Sequence, residues 1–318
     1  MSSPRNLSSL QKKVWNGSIP LEIRLASSEC RTFDHSDPYL IQFPRLSYLP
    51  FLLPRLLAFF SSFLIDPDVS FSEGWLSYEG VPLKWHYPVG LLYDLYSGSE
   101  PTYPTSRDGL GTKEPSVGNE ETKTEDDILP WRLTVHFTEW PVEQLFKLDA
   151  EGRVLHDSFI NSVKEADFLR NGTAKVVMSL SKDDSTQLWQ SVEKHDLPMF
   201  NAVNQKLLNP QGSTLRHLPV KLYLPHAAPG TTEERLTPGS LRVVQALVTP
   251  ALSSRQPQTL GTALNSILPT LFPSRRSPLL AHAVLHGAVV PLSANFEDLV
   301  RAATYADGWL HLVVVMMG

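Results

Sequence analysis

Alternating apolar and polar positions predict short strands early in the chain. Residues 75–95 contain alternating aromatic side chains that break at Gly80 and Pro82 and stop at Pro88. Glycine adopts positive φ freely and proline cannot donate to a strand ladder, so this run predicts a strand, a tight turn, a short strand and a helical turn. Residues 131–137 alternate strictly, which predicts a strand returning to the same sheet.

The N-terminal third adds further strands and one apolar helix. Asn16-Gly17 favours a tight turn, so residues 14–25 are predicted to form a β-hairpin, with residues 39–43 as another extended piece. Residues 54–65 are predicted to form a helix that packs across the sheet. The apolar run 49–65 is short for a membrane span and contains two prolines and an arginine, so a buried helix is favoured over an anchor.

The middle of the chain changes to a helical period. Apolar residues recur at spacings of three and four from residue 155 to residue 169, and the run stops at Asn171-Gly172, a favourable left-handed cap. A second helical stretch covers residues 183–208 with a break near Pro198. Neither stretch can bury its apolar stripe alone, so we expect a helix-rich unit that leans on its neighbours. The stripe of the first helix is Leu155, Phe159, Val163, Ala166 and Leu169.

The last third repeats the order of elements found at the start. Strand patterns at 216–224 and 241–248 precede a helix at 259–268. Strands at 279–286 and 309–316 then enclose a short extended piece and a helical turn at 296–300. Residues 97–127, in contrast, are dominated by Gly, Ser, Thr, Pro and charged residues, which predicts a disordered insertion within the first domain.

Composition narrows the function classes. The chain has 318 residues, a formal charge of -5 and a pI near 6.1, so no global attraction to nucleic acid is expected. The single cysteine, Cys30, excludes an internal disulfide and suits a reducing compartment. No secretory signal is visible at the N-terminus, and we therefore expect a cytoplasmic protein.

Motifs for catalysis are missing from the sequence. There is no Gly-x-Ser-x-Gly, no phosphate-cradling glycine loop and no cysteine pair. His282 and His286 have a spacing that could hold zinc on a helix, but Ala283 stands where the catalytic glutamate belongs and the surroundings favour a strand. His86 lacks an evident partner and is interpreted as structural. We therefore expect no cofactor, no metal and no catalytic residue.

Two stretches of the sequence resemble one family. Tyr78-Glu79-Gly80, the run 82–88 and Gly90-Leu91-Leu92 closely resemble the first ubiquitin-like domain of the autophagy protein 5 family, and residues 163–167, Val-Lys-Glu-Ala-Asp, match a second motif. The resemblance implies an α+β fold in which two ubiquitin-like (β-grasp) domains, at 1–140 and 211–318, flank a helix-rich domain at 141–210.

Lys164 is the candidate site residue. At 100° per residue it lies opposite the apolar stripe of its helix, so its amine should face solvent. Ile160 and Phe168, one turn before and after it, are apolar on that same face and suggest a docking patch. The resemblance implies that Lys164 is the isopeptide acceptor for the C-terminal glycine of the modifier autophagy protein 12.

The family resemblance also implies partners. The conjugate with autophagy protein 12 is expected to act E3-like with E2-like enzymes, promoting lipidation of autophagy protein 8 with phosphatidylethanolamine during autophagosome formation. A helix of autophagy protein 16 is expected in a groove shared by the domains, bringing the assembly peripherally to the preautophagosomal (phagophore) membrane. Two alternatives stay open: a non-covalent adaptor with ubiquitin-like folds, and a protein anchored to membranes by residues 49–65.

Overall fold

The computed structural model describes residues 4–31, 36–96, 129–208, 215–224, 241–253 and 256–317. In these residues the chain forms two five-stranded sheets, and a group of helices lies between them in sequence. Sheets with helices segregated to one side define the α+β class, so the predicted class is confirmed.

The first sheet and its helices form a β-grasp domain. Its elements are β1 (Ser18–Leu25), β2 (Tyr39–Pro44), α2 (Leu53–Phe60), β3 (Trp75–Tyr78), β4 (Val81–Pro82), α3 (Val89–Tyr96) and β5 (Trp131–His136). Strands β1 and β5 are parallel neighbours in the centre, and the strand order is β2-β1-β5-β3-β4. Alternate residues of β1 are buried against α2, whose Leu56 and Phe60 are fully enclosed. The predicted helix across this sheet is therefore confirmed.

The turn between β3 and β4 follows the local sequence. Glu79 and Gly80 both have positive φ, 48° and 80°. Two consecutive positive φ values give a turn whose twist matches that of paired strands, which is why a glycine stands there. Strand β3 also pairs with β5, so the chain before and after residues 97–127 belongs to one sheet. The predicted disorder of residues 97–127 itself lies outside the described residues.

The helix-rich region follows the predicted period. Its helices are α4 (Arg153–Asn171), α5 (Lys175–Met178), α6 (Lys182–Glu193) and α7 (Leu197–Leu208). The α4 stripe faces inward, since Leu155, Phe159, Val163 and Ala166 are buried. The helix ends at Gly172, which has a φ of 72° and donates its N–H to the carbonyl of Phe168. The break between α6 and α7 confirms the interruption predicted near Pro198.

The second sheet repeats the topology of the first. Its elements are β6 (Val220–Leu224), β7 (Arg242–Gln245), β8 (Ala251–Ser253), β9 (Gln256–Pro257), α8 (Leu260–Ile267), β10 (Ala281–Leu285), β11 (Ala288–Val289), α9 (Phe296–Ala303) and β12 (Leu310–Met316), of which β8 and β9 form a separate ribbon. The strand order is β11-β10-β12-β6-β7, with β6 and β12 parallel in the centre. A reciprocal pair of bonds between Thr259 and Thr262 caps α8.

The predicted N-terminal hairpin is wrong. The chain before β1 is the helix α1 (Pro4–Trp15), and Asn16-Gly17 ends this helix. Strand β1 pairs instead with β2, Ser18 facing Pro44. The cause is tertiary, because Trp15 is buried, stacks on His195 with ring centroids 5.0 Å apart and packs at a tilt against Phe200 at 4.8 Å. Helix α1 also packs against α9, so the N-terminal helix contacts the second ubiquitin-like region and not only the first sheet.

The three regions pack into one body. One hydrophobic core fills the helix-rich region and the second sheet, and a second core fills the first domain. Phe51, Tyr87 and Leu148 pack against both cores, and Trp85 of the first domain lies in the larger one. The prediction that the helices bury their apolar faces against neighbouring regions is confirmed. In the described ranges, no helix combines the length and the apolar character needed to cross a membrane.

Candidate functional site

Lys164 lies in helix α4, whose start is well defined. Helix α4 starts after Gly152, whose φ is 70°, and the Asp149 carboxylate accepts from the N–H groups of Arg153 and Val154 at 2.9 and 2.8 Å. These backbone hydrogen bonds lower the pKa of Asp149. Three turns later the Lys164 side chain is half-buried and makes no hydrogen bond or ion pair with any other described residue.

The neighbours of Lys164 on its face differ in exposure. Phe168 is 56% exposed, which is high for a phenylalanine in a folded domain. Ile160 is only partly exposed because it also packs against the core that fills the helix-rich region. Phe168 is therefore the exposed residue of this face, whereas Lys164 and Ile160 are both only partly exposed. The docking patch itself stays a prediction.

A turn of the second domain contacts α4 beside Lys164. The hydroxyl of Ser162 donates to Asp307 Oδ2 at 2.9 Å, and the indole N–H of Trp309 donates to the Ser162 carbonyl at 3.0 Å. Asp307 also accepts from the Trp309 N–H at 3.1 Å and lies 3.0 Å from His311 Nε2. Burial would raise the pKa of Asp307, but His311 and the hydrogen bonds to the carboxylate lower it below its ordinary value.

The order of this network shows what it can do chemically. The carboxylate of Asp307 lies between the serine and the histidine, and the other ring nitrogen of His311 is 2.8 Å from the hydroxyl of Tyr223. In a nucleophilic triad the histidine must contact the serine hydroxyl in order to take its proton. Here the Ser162 hydroxyl donates to the Asp307 carboxylate and makes no hydrogen bond with His311, and Asp307 and His311 are buried. The network holds groups in place and does not activate a nucleophile.

A buried arginine makes a second contact with the same turn. The guanidinium of Arg170, near the end of α4, donates to the carbonyl of Gly308 at 2.7 Å. Burial lowers the pKa of Arg170 to about 10, while the nearby Asp167 and Asp307 act in the opposite direction. Gly308 has a φ of 84°, and a Cβ at this position would overlap the guanidinium. The turn therefore requires glycine for two reasons, its backbone conformation and the close approach of Arg170.

Lys221 of the second domain pairs with Glu165, the residue after Lys164. Its amine lies 4.1 Å from the centre of the Trp309 ring and 3.5 Å from the carboxylate of Glu165. Lys221 is also close enough to His86 of the first domain to contribute, after burial and Lys84, to lowering the pKa of His86 to about 4. Lys221 thus interacts with α4 through Glu165 and with the first domain through its effect on His86. His86 is neutral near pH 7, in keeping with its interpretation as structural.

The histidine pair considered for zinc does not lie on a helix. His282 is in strand β10, and His286 follows in the turn after it, where its Nε2 donates to the carbonyl of Ala303 at 2.8 Å. Among the residues with described positions, no group of three or more His, Cys, Asp or Glu side chains could hold a metal ion.

Several residues of the site are missing from the sequence-based prediction. Ser162 is 145 positions from Asp307 and 147 from Trp309 in the chain, and only the fold brings it to them. Asp307-Gly308 is a recognisable turn signal, but a turn signal does not reveal which helix the turn contacts. Val142 and Phe146, at 80% and 82% exposure, are further apolar surface residues that periodicity does not indicate, because they lie outside any helix or strand.

The fold and the site define a class: two ubiquitin-like domains around a helical bundle that carries a half-buried lysine with no ionic partner in the part of the chain that the structure describes. Three family models match consecutive parts of the chain: the autophagy protein ATG5 UblA domain at residues 14–137, its alpha-helical bundle region at 152–210 and its UblB domain at 217–314. The chain belongs to the autophagy protein 5 family, as its sequence resemblance predicts.

Curated relatives match along the whole chain. Autophagy protein 5 of Phaeosphaeria nodorum is 61% identical over 318 residues, covering 100% of both chains. Autophagy protein 5 of Neosartorya fischeri is 53% identical over 333 aligned positions, covering 100% of this chain and 98% of the relative. A crystal structure of Kluyveromyces marxianus Atg5 superposes with a TM-score of 0.72 at 22% identity, over 96% of this chain and 98% of that one. That likeness establishes the fold, and family membership establishes a role in autophagy.

Proposed function

We propose that this chain is the acceptor in a ubiquitin-like conjugation, with Lys164 joined by an isopeptide bond to autophagy protein 12. The observation that supports the proposal is the position of Lys164 on α4, in the bundle region that the family model matches and one helical turn before the exposed Phe168. Lys164 also has no carboxylate partner among the described residues, a feature that it shares with other lysines such as Lys175. An amine must lose its proton before it attacks a thioester, and a carboxylate partner favours the protonated form.

The conjugate, rather than this chain alone, is the proposed functional unit. It would act E3-like with E2-like enzymes, promoting transfer of autophagy protein 8 to phosphatidylethanolamine. In this lipidation step the chain would supply docking surfaces, and none of its residues need act as acid, base or nucleophile, so its proposed contribution is the positioning of partners. Exposed apolar side chains on the surface, such as Phe146 and Phe168, support a role in protein contacts.

The remaining partners are proposed with family membership as support. We propose that a helix of autophagy protein 16 binds a groove shared by the domains and brings the conjugate peripherally to the preautophagosomal (phagophore) membrane, the protein being otherwise cytoplasmic. The close packing of all three regions supports such a composite groove, because a surface built from several domains keeps its shape only when the domains are held together.

A Lys164→Arg variant tests the acceptor assignment. Arginine keeps the charge and the helix propensity but stays protonated, so the covalent product should disappear while folding is unchanged. The measurement is reconstitution with the E1-like and E2-like enzymes, the modifier and ATP, followed by denaturing gels and peptide mapping. Lys175→Arg is the matched control, because Lys175 is an exposed lysine just beyond the same helix.

The two ways in which this test can fail differ. If Lys164→Arg still forms the shifted band, with the branch mapped to another lysine, the site assignment is wrong. If the wild-type chain forms no conjugate under conditions in which a related family member does, the covalent function is wrong and a non-covalent adaptor becomes the better description. The docking patch has its own test, since Phe168→Asp should slow conjugation although Lys164 is present.

A further inference from the structure

The second domain holds α4 on both sides of Lys164. Before Lys164, Ser162 is bound twice, through its hydroxyl to Asp307 at 2.9 Å and through its carbonyl to the Trp309 indole at 3.0 Å. After it, Glu165 pairs with Lys221 at 3.5 Å. Lys164 thus lies between two residues of its own helix, each of which is bound by side chains of the second domain.

The attachment at Ser162 is rigid because Asp307 is itself fixed. Its carboxylate accepts the Trp309 N–H and contacts His311, whose other ring nitrogen contacts the hydroxyl of Tyr223. Asp307, Tyr223 and His311 are buried, so water does not compete for these bonds. A side chain with all of its partners in place can define the position of the group that it binds.

The attachment leaves the Lys164 side chain free. At 100° per residue, Lys164 lies about 200° around the helix from Ser162, so the two side chains point to nearly opposite sides. Contacts at Ser162 therefore determine the rotation of α4 without covering the lysine. The ion pair with Lys221 occupies Glu165, the acidic residue next to Lys164 in the sequence.

We propose that the second ubiquitin-like domain positions the acceptor lysine, with Ser162 and Asp307 as positioning residues that set the orientation in which α4 presents Lys164 to the incoming thioester. This inference rests on the proposed conjugation at Lys164. It predicts that the second domain affects the rate of the transfer step itself, because a small misplacement of a reacting group slows a reaction between oriented partners.

The test removes one hydrogen bond and leaves the buried cluster intact. Ser162→Ala deletes the hydroxyl that donates to Asp307 and does not lower the helix propensity. Ser162→Thr restores a hydroxyl. Ser158→Ala, one turn earlier on α4, is the matched control, because Ser158 makes no hydrogen bond with the second domain in the described part of the chain. The full chain is used, with melting temperature as the measure of folding.

The readout is single-turnover transfer from the thioester of the E2-like enzyme, measured at increasing thioester concentration. For Ser162→Ala we expect the saturating rate to fall roughly tenfold with an unchanged half-saturation concentration, an unchanged melting temperature and a larger share of branches at other lysines. Ser162→Thr should recover most of the rate, and Ser158→Ala should match wild type.

Three outcomes would overturn the inference. Wild-type rate and site selectivity in Ser162→Ala would show that the second domain does not position Lys164. If Ser162→Ala changes only the half-saturation concentration, Ser162 acts in docking of the E2-like enzyme. If Ser158→Ala lowers the saturating rate as much as Ser162→Ala does, the effect reflects general stability. All three differ from failure of the proposed function, in which the wild-type chain itself forms no conjugate, and that result would overturn this inference as well.

Discussion

The two ubiquitin-like domains contain the same hairpin turn in different surroundings. In the first domain Glu79 and Gly80 have φ values of 48° and 80°, and in the second His286 and Gly287 have values of 52° and 79°. A Cβ on Gly80 would have no neighbour within 4 Å, whereas a Cβ on Gly287 would lie 3.3 Å from the guanidinium of Arg45. The first turn faces solvent, and the second packs against the other domain.

In the second domain this turn also forms a contact between the two ubiquitin-like domains. Asp94 of the first domain accepts from the Gly287 N–H at 2.9 Å and pairs with Arg45, whose guanidinium also donates to the carbonyl of Gly90. Burial raises the pKa of Asp94, and Arg45 opposes this shift. Both charges belong to the first domain, so this ion pair contacts the second domain through a backbone amide.

The substitution expected to change the stability of this interdomain contact most is Asp94→Ala. The substitution leaves Arg45 without its counter-ion and the Gly287 N–H without its acceptor, which should cost about 3 to 5 kcal/mol of unfolding free energy. Chemical denaturation followed by tryptophan fluorescence measures the loss. The double variant Arg45→Met with Asp94→Leu should be considerably more stable than Asp94→Ala, because no buried charge then lacks a partner. Equal losses in the two proteins would show that the cost does not arise from the ion pair.

An intermediate effect is expected from alanine at the two turn glycines. Both substitutions strain a positive φ, at a cost of about 1 to 2 kcal/mol, and this should be the whole effect at Gly80. At Gly287 the added methyl group also presses on Arg45, so Gly287→Ala should lose about 1 kcal/mol more. Comparing the unfolding free energies of the two variants isolates the interdomain contact. If Gly80→Ala and Gly287→Ala lower the unfolding free energy equally, the packing of the second turn against Arg45 does not contribute to stability.

The smallest effect concerns pH and His286. Burial, with smaller effects from Arg45 and His311, lowers its pKa from 6.5 to about 3, although its bond to the Ala303 carbonyl opposes the shift. Between these values the unfolded chain binds a proton that the folded protein does not bind. The stability due to neutral His286 is therefore complete above pH 6.5 and is lost as the pH falls toward 3.

Comparison with His286→Asn isolates this contribution, since asparagine tolerates positive φ and does not titrate. Between pH 7 and pH 5 the wild type should lose about 1 to 2 kcal/mol more unfolding free energy than the variant. The other histidines with lowered pKa values, including His86 and His195, are present in both proteins and cancel in the difference. Parallel pH profiles for the two proteins would mean that His286 is not responsible.

Local patterns predicted most of the elements. The turn at Gly80, the strand at 131–137 and the helix ending at Asn171 have strong signals in neighbouring residues, namely a glycine, strict alternation and a stripe with a cap. The hairpin at Asn16-Gly17 was predicted by the same kind of rule and is wrong. A turn signal favours a reversal wherever it stands, but the burial of Trp15 against the helices of the middle region favours α1.

The sequence by itself determined the family, the order of most elements after α1 and the lysine most worth testing, because each depends on residues adjacent in the chain or one helical turn apart. Only the tertiary structure decided that Ser162 contacts Asp307, that Glu165 pairs with Lys221 and that the Gly287 turn contacts Asp94. These contacts join residues from 56 to 193 positions apart. Side chains at such separations meet only after both domains have folded and packed, so no local pattern can specify them.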